Sequence, residues 1–211
     1  MNIKLSKFTL INQIDHFCEV VNGKTKPKVT GYDGLNSLKI FDAIIKSAKS
    51  GKKIWSVDLV EDLGGKIPNW GYTESVLLDD GRVICTPGGD QGAIAALNAE
   101  SGKVIWRSKE FTDAAQYSSP IVITNRGKKE YVQLVMKNLV GIEADTGKLS
   151  WKSPWTGRTA VIPTPIHDDG HVFIATGYGV GCKLVKLSPG GVNDVYENKY
   201  MKNHHGGVIK H

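Results

Sequence analysis

Leu97-Asn98-Ala99-Glu100-Ser101-Gly102-Lys103-Val104-Ile105-Trp106 is followed by a second version of itself, Ile142-Glu143-Ala144-Asp145-Thr146-Gly147-Lys148-Leu149-Ser150-Trp151. The two tryptophans stand 45 residues apart, and so do the two glycines. A second marker keeps step with the first. Ser75-Val76, Ser119-Pro120 and Thr164-Pro165 each open an apolar run, at spacings of 44 and 45 residues. Each run meets a turn signal: Asp79-Asp80-Gly81, Asn125-Arg126-Gly127 and Asp168-Asp169-Gly170. Each turn leads to another apolar run: Arg82 to Thr86, Tyr131 to Met136 and His171 to Thr176. Two markers in register over the same stretch define a tandem repeat, which governs every local assignment.

One repeat is readable as a structural unit. A strand enters a tight Asp-Gly-type hairpin and returns as a second strand. A third strand, Ile94 to Asn98, precedes the turn Ala99-Glu100-Ser101-Gly102, and a fourth runs from Lys103 to Trp106. Glycine at the end of that turn accepts the positive φ the turn requires. The tryptophan then packs between neighbouring sheets. Four strands in about 45 residues are the blade of a β-propeller. The fold expected is therefore mainly β: a partial propeller of about three four-stranded blades over residues 51–211. A propeller ring takes about four to eight blades, so three are too few to close one. The two terminal faces would then call for the missing blades, or another protein, to cover them.

Working outward, the chain changes character near residue 51. All five tryptophans lie beyond residue 54. The first 50 residues read as a separate, two-helix segment. Ile11, Ile14, Phe17, Cys18 and Val21 repeat at helical spacing, and Asn22-Gly23 is a helix stop. Leu35, Leu38, Phe41, Ile45 and Ala48 form a second stripe over Gly34–Ser50, with Asp33 as N-cap and Gly51 as terminator.

The net charge of +6 is confined to this first quarter. Residues 1–55 carry 10 Lys/Arg against 4 Asp/Glu, whereas residues 56–211 carry 17 of each. The excess is spaced lysine, without the arginines and stacking aromatics that read nucleic acid. It is expected to be a solvated face, so no nucleic-acid partner is expected. No apolar run reaches the ~18 residues of a membrane-spanning helix. Met1–Phe17 lacks a signal peptide's apolar core. Cys18, Cys85 and Cys182 form no metal-ligand pair and are expected as buried thiols, so no metal site is expected.

The string Ala-x-[Ser/Thr]-Gly-Lys-x-x-Trp, with a partial copy at Lys49-Ser50-Gly51-Lys52-Lys53-Ile54-Trp55, resembles the repeat of the quinoprotein-like, pyrroloquinoline-quinone family of propellers. Asn69 to Ser75, Arg158 to Pro165 and Asn203 to Gly207 look like a bacterial subgroup of that family. The resemblance covers residues 51–211. It implies the fold, relatives that act in the periplasm or outside the cell, and pyrroloquinoline quinone with calcium as a cofactor. It does not imply an activity, because this fold hosts enzymes, scaffolds and binding proteins alike. The quinone-dependent alcohol dehydrogenases of the family use an Asp base, a carboxylate-held calcium and an adjacent cysteine pair. This chain has no Cys-Cys, and no carboxylate matches the base or the calcium ligands, so no catalytic residue is assigned.

Residues 1–52 resemble something else. His16 to Gly23, Lys26-Pro27, Gly31 to Leu35 and Ser47 to Lys52 look like the C-terminal end of the glucose-fructose oxidoreductase/inositol dehydrogenase family. No GxGxxG accompanies them, so no dinucleotide site is expected. The two resemblances meet at Ser50-Gly51-Lys52-Lys53-Ile54, and a hybrid chain is expected.

Candidate binding residues fall where the repeat is interrupted or flanked. Trp55 and Trp106 stand 51 residues apart, so an insertion precedes Ser75. It carries Trp70 and Glu74, which can line a channel pocket or simply pack in a long loop. Arg158 can meet an anion bidentately or lie on the surface. His204 and His205 can face the channel or sit as terminal polar residues. On a strand they would point to opposite faces and could not share one metal. The function expected is a propeller arc that is non-catalytic by itself. The alternatives are part of a quinone-dependent alcohol dehydrogenase, or an assembly scaffold that binds protein partners.

Overall fold

The computed structural model describes residues 19, 21–24, 51–189 and 191–210. The chain divides into two compact units, Met1–Ile54 and Trp55–His211. In the first, Glu19 and Val21 are helical, and Gly23 takes φ +69° as the Lys24 N–H donates to the Glu19 carbonyl at 2.9 Å. This is the stop expected at Asn22-Gly23. The remainder of that helix and the whole of the second, Gly34–Ser50, lie outside the described residues, as does Cys18.

The second unit holds three four-stranded antiparallel sheets, each in chain order. Blade 1 is β1 (Leu77–Asp79), β2 (Arg82–Cys85), β3 (Ala95–Asn98) and β4 (Val104–Arg107). Blade 2 is β5 (Ile121–Asn125), β6 (Lys128–Leu134), β7 (Asn138–Glu143) and β8 (Leu149–Pro154). Blade 3 is β9 (Ile166–Asp168), β10 (His171–Thr176), β11 (Gly181–Ser188) and β12 (Gly191–Asn198). The repeat read from the sequence is thus the blade, and the fold is a partial β-propeller. Among the described residues no helix is long and apolar enough to cross a membrane.

The first hairpin of every blade turns in the same way. Asp79 pairs with Arg82, Asn125 with Lys128 and Asp168 with His171. The two residues between each pair are left-handed: Asp80 and Gly81 (φ 50° and 74°), Arg126 and Gly127 (52° and 78°), Asp169 and Gly170 (42° and 69°). Two successive positive φ values make the turn whose twist matches that of the strands. The turn between third and fourth strands is built by Asn98, whose Oδ1 accepts from the N–H groups of Glu100 and Ser101 at 3.1 and 2.9 Å. Gly102 and Gly147 close these turns at φ +70° and +72°.

Alternation along each strand sends side chains to both faces, so each junction has its own apolar core. Between blades 1 and 2, Ile84, Ala96 and Trp106 meet Tyr131, Val140, Ile142 and Ala144. Between blades 2 and 3, Val132, Leu134, Leu139 and Trp151 meet Val172, Ile174, Val185 and Leu187. The other face of blade 1 (Val83, Cys85, Ala95, Leu97) is covered by Trp55, Val57, Leu59 and Leu63. Each fully buried aliphatic side chain contributes about 1.5–3 kcal/mol to this stacking.

The repeating tryptophan is the rivet between blades. Trp106 Nε1 donates to the Ala144 carbonyl of blade 2 at 2.9 Å, and its ring covers Gly147. A Cβ on Gly147 would lie 2.5 Å from the ring. Trp55 does the same to blade 1, donating to the Ala99 carbonyl at 3.0 Å and covering Gly102. Trp151 also packs between sheets, but Nε1 turns back to Glu130 Oε2 of its own blade at 2.7 Å. The reason lies in blade 3. Its β11–β12 turn is not the Ala-x-[Ser/Thr]-Gly string, and the residue 45 positions beyond Trp151 is Tyr196, which is 41% exposed.

Candidate functional site

A segment leads into the first strand of every blade, and these segments are bonded to one another across the blades. Trp70 N–H donates to the Tyr117 hydroxyl at 3.2 Å, and Ser75 N–H to the Ser119 hydroxyl at 2.9 Å. Tyr117 N–H donates to the Val161 carbonyl at 3.0 Å, and the Ser118 hydroxyl to the Pro163 carbonyl at 3.0 Å. The partners are close to one repeat apart in sequence, so the rungs follow from the repeat itself. They bring three lead-in segments to one side of the sheets.

There the segments enclose an open cavity of about 530 Å³, lined by Trp70, Thr73, Tyr117, Ala160, Ile162, Tyr178 and His205. Trp70 and Tyr117 lie with ring centroids 5.8 Å apart, tilted by 52°. Tyr178 meets His204 edge-on at 4.5 Å, and its N–H faces His204 Nε2 at 3.4 Å. Trp70 is 60% exposed, so its ring is a wall open to solvent.

Of the five candidates, the structure gathers Trp70 and His205 at this cavity, with His204 beside it. The two histidine rings are stacked at 6.3 Å, 30° from parallel, because the segment bends and is not a strand. Opposed rings, expected for a strand, are therefore not what is found. Arg158 is exposed on the loop after β8 and is not among the lining residues. Glu74 also departs from the channel-facing placement expected of it. Its carboxyl turns into blade 1, where Oε1 accepts the Thr86 N–H and Oε2 is buried without a well-formed hydrogen bond. Burial pushes this carboxyl up to about 7, against the opposing pull of the Thr86 N–H and hydroxyl.

Two lining residues, Tyr117 and Tyr178, were not legible as site residues from their own surroundings. The signal for Tyr117 was position, since it stands in blade 2 where Tyr72 stands in the preceding lead-in segment, 45 residues earlier. Tyr178 gave none. It sits at φ +57° in the turn between β10 and β11, a placement only the fold sets.

The cavity does not fit a calcium-held quinone. A hard cation needs six to eight oxygen ligands, carboxylates foremost, and no carboxylate lines this space. The nearest in sequence, Glu74, is committed to Thr86. Among the described residues, no group of three or more His, Cys, Asp or Glu is placed to hold a metal ion. Cys85 and Cys182 are both buried free thiols, and burial, then Glu74, pushes the Cys85 thiol up to about 12. What the walls offer is apolar and aromatic contact with a few hydroxyl and imidazole groups.

Comparison with known proteins gives three findings. The sequence profile PQQ_2, described as outer membrane protein assembly factor BamB, matches residues 27–210. A curated protein, uncharacterized protein RC0314 of Rickettsia conorii (strain ATCC VR-613 / Malish 7), is 26% identical over 166 residues, 69% of this chain and 34% of its own length. The chain thus spans about a third of that relative. Two solved structures are similar in part. BamB from Moraxella catarrhalis is 20% identical with a TM-score of 0.41, covering 61% of this chain and 37% of its own. The quinohemoprotein alcohol dehydrogenase ADHIIG from Pseudomonas putida HK5 is 21% identical with a TM-score of 0.40, covering 58% of this chain and 20% of its own. None of these findings supports the glucose-fructose oxidoreductase/inositol dehydrogenase resemblance of residues 1–52. The matched profile begins at residue 27 and runs through the boundary drawn at residue 50.

Proposed function

The chain belongs to the outer membrane protein assembly factor BamB family, and from that premise we propose that its three blades are an arc of a longer propeller whose role is to bind protein, not to turn over a quinone. One observation carries the reading: among the described residues, the outward apolar face of blade 3 meets no second sheet, only the segment that carries Met201 and Val208. Ile166, Phe173 and Leu184 form one wall of a cleft of about 420 Å³, and Met201 and Val208 form the other. The Lys210 ammonium, paired with Asp168, stands at its rim.

What belongs on such a face is written into the other two junctions, where a second four-stranded sheet covers the equivalent residues. The occupant proposed is therefore a further blade of the same repeat, from a longer form of the chain or from a partner. A relative about three times as long has room for more blades. Trp55 supports the same reading at the other end, because it rivets blade 1 as Trp106 rivets blade 2, as the last tryptophan of a preceding blade. By the family's name the partners belong to outer-membrane assembly, outside the cytoplasm.

Light scattering with size-exclusion chromatography tests this. The chain is expected to self-associate with rising concentration through the blade 3 face, and Phe173→Asp is expected to abolish the association. A clean monomer with one cooperative melt sinks the reading of an incomplete arc. A saturable absorbance change on titration of pyrroloquinoline quinone with calcium would favour the dehydrogenase alternative.

A further inference from the structure

Blade 1 carries an ionisable group where its neighbours carry none. Counting back from Ser75, Ser119 and Thr164, Glu74 corresponds to Ser118 in blade 2 and to Pro163 in blade 3. Ser118 is fully buried and satisfied by the Pro163 carbonyl and Gln133. Glu74 is half satisfied. Oε1 holds the Thr86 N–H, while Oε2 and Thr86 Oγ1 are buried and make no well-formed hydrogen bond; the Thr86 hydroxyl lies close enough to favour the charged form, but less than burial disfavours it. Such a site suits a neutral carboxyl better than a charged one.

We propose that Glu74 is a protonation latch that fastens the Trp70–Ser75 segment, and with it the Trp70 wall of the cavity, to blade 1. The remaining ties of that segment are neutral: Trp70 N–H to Tyr117, the Tyr72 hydroxyl to the Pro87 carbonyl at 2.8 Å, and Ser75 N–H to Ser119. None of them answers to pH near neutrality.

The groups around the carboxyl come from every element packed on it. Tyr72 lies on its own segment, Cys85 ends β2 and Thr86 follows it; Arg107 of β4 acts on Tyr72 and Cys85, and Asp58 of the preceding loop acts on Tyr72. Tyr72 and Cys85 are both pushed up by burial and are neutral. The Arg107 guanidinium donates through its two terminal nitrogens to the Leu63 and Gly92 carbonyls, keeps its Nε buried without a partner, and makes no ion pair with Glu74. Among the described residues no cation compensates the charge, so burial decides.

The sign follows from a folded value above the unfolded one. Below pH 4.5 the latch is fully closed. Between 4.5 and about 7 its opening equilibrium rises about tenfold per pH unit, and above 7 it levels off. The segment is held in acid and released toward alkali. The proposal stands on this segment's own geometry and does not need the protein-binding reading to hold.

Two measurements on the full chain test it. A carbon-13 titration of the Glu74 carboxyl is expected to give a midpoint near 7. Hydrogen exchange of the Thr86 amide, corrected for intrinsic rate, is expected to quicken about tenfold per unit from pH 5 to 7 in the wild type. It is expected to stay flat in Glu74→Gln, whose amide oxygen still accepts the Thr86 N–H. A midpoint in the ordinary carboxylate range, or wild-type protection that ignores pH, overturns the proposal. The wild-type titration decides by itself should the variant fail to fold.

Discussion

The two blade junctions use the same residues to different ends. At the first, Trp106 and Arg82 both reach across from blade 1 to one carbonyl, that of Ala144, at 2.9 and 2.8 Å. Arg82 also pairs with Asp145 at 3.0 Å. At the second, Trp151 and Glu130 close on each other inside blade 2, with the Ser150 hydroxyl on the same carboxylate. The side-chain bonds that do cross come from other residues: the Ser153 hydroxyl donates to Asp194 at 3.2 Å, Trp155 Nε1 donates to the Thr176 hydroxyl at 3.1 Å, and a buried cation adds a third. Lys183, 2% exposed, donates to the Pro154 carbonyl of blade 2 at 3.0 Å and pairs with Asp194 of its own blade at 2.8 Å. The difference teaches that the tryptophan is not the fastener by itself. It fastens only where the next blade offers a carbonyl and a glycine at the right place.

That contrast can be broken or sharpened in order of effect. Trp106→Ala removes a large ring that is 8% exposed and opens the first junction. It is expected to cost about 3–5 kcal/mol by denaturant unfolding, the range for buried aromatic truncation. A cost under 1 kcal/mol would mean that the apolar core, not the ring, joins the blades. Glu130→Ala leaves Trp151 Nε1 and Ser150 Oγ without their acceptor. It is expected to cost about 1–3 kcal/mol, the cost of the one buried orphan, Trp151 Nε1, because Ser150 is exposed to water. Glu130→Gln, which keeps an acceptor oxygen, should recover most of this.

Gly147→Ala tests the shared geometry of turn and ring. The new methyl would meet Trp106 at 2.5 Å in a residue held at φ +72°. A loss of about 1–3 kcal/mol is expected, and it should shrink in a Trp106→Ala background, where the ring is gone. The smallest effect belongs to Arg82→Met, about 1 kcal/mol. Trp106 still satisfies the Ala144 carbonyl, and Asp145 is solvent-exposed. Thermal melts that resolve one-degree shifts can check this, and a loss above 2 kcal/mol would make arginine the principal tie.

The blades were legible because their signals are local. Asp79-Asp80-Gly81 and its two counterparts announce left-handed turns, and the Gly–Trp pairs announce a close approach. Glu130 was not legible as a junction residue. It lies in Lys128-Lys129-Glu130-Tyr131, where alternation alone places a charge on an inward face, and only the fold shows Trp151 arriving to meet it. Trp70 and His205 share a cavity although 135 positions separate them in the chain. The turned-in carboxyl of Glu74 was hidden for the same reason. Its partner, Thr86, lies just past the strand after the next turn, and no pattern within Asn69–Ser75 states which way the side chain points.

The sequence by itself determined the repeat length, the four strands of each blade and the places where tryptophan must meet glycine. Those depend on φ preferences and alternation, which act between neighbours along the chain. The tertiary structure alone decided which face each charged side chain takes, that Trp151 bonds inward while Trp106 bonds across, and where the aromatic cavity opens. These depend on what the next sheet presents. A hydrogen-bond donor finds its acceptor only after the blades have stacked.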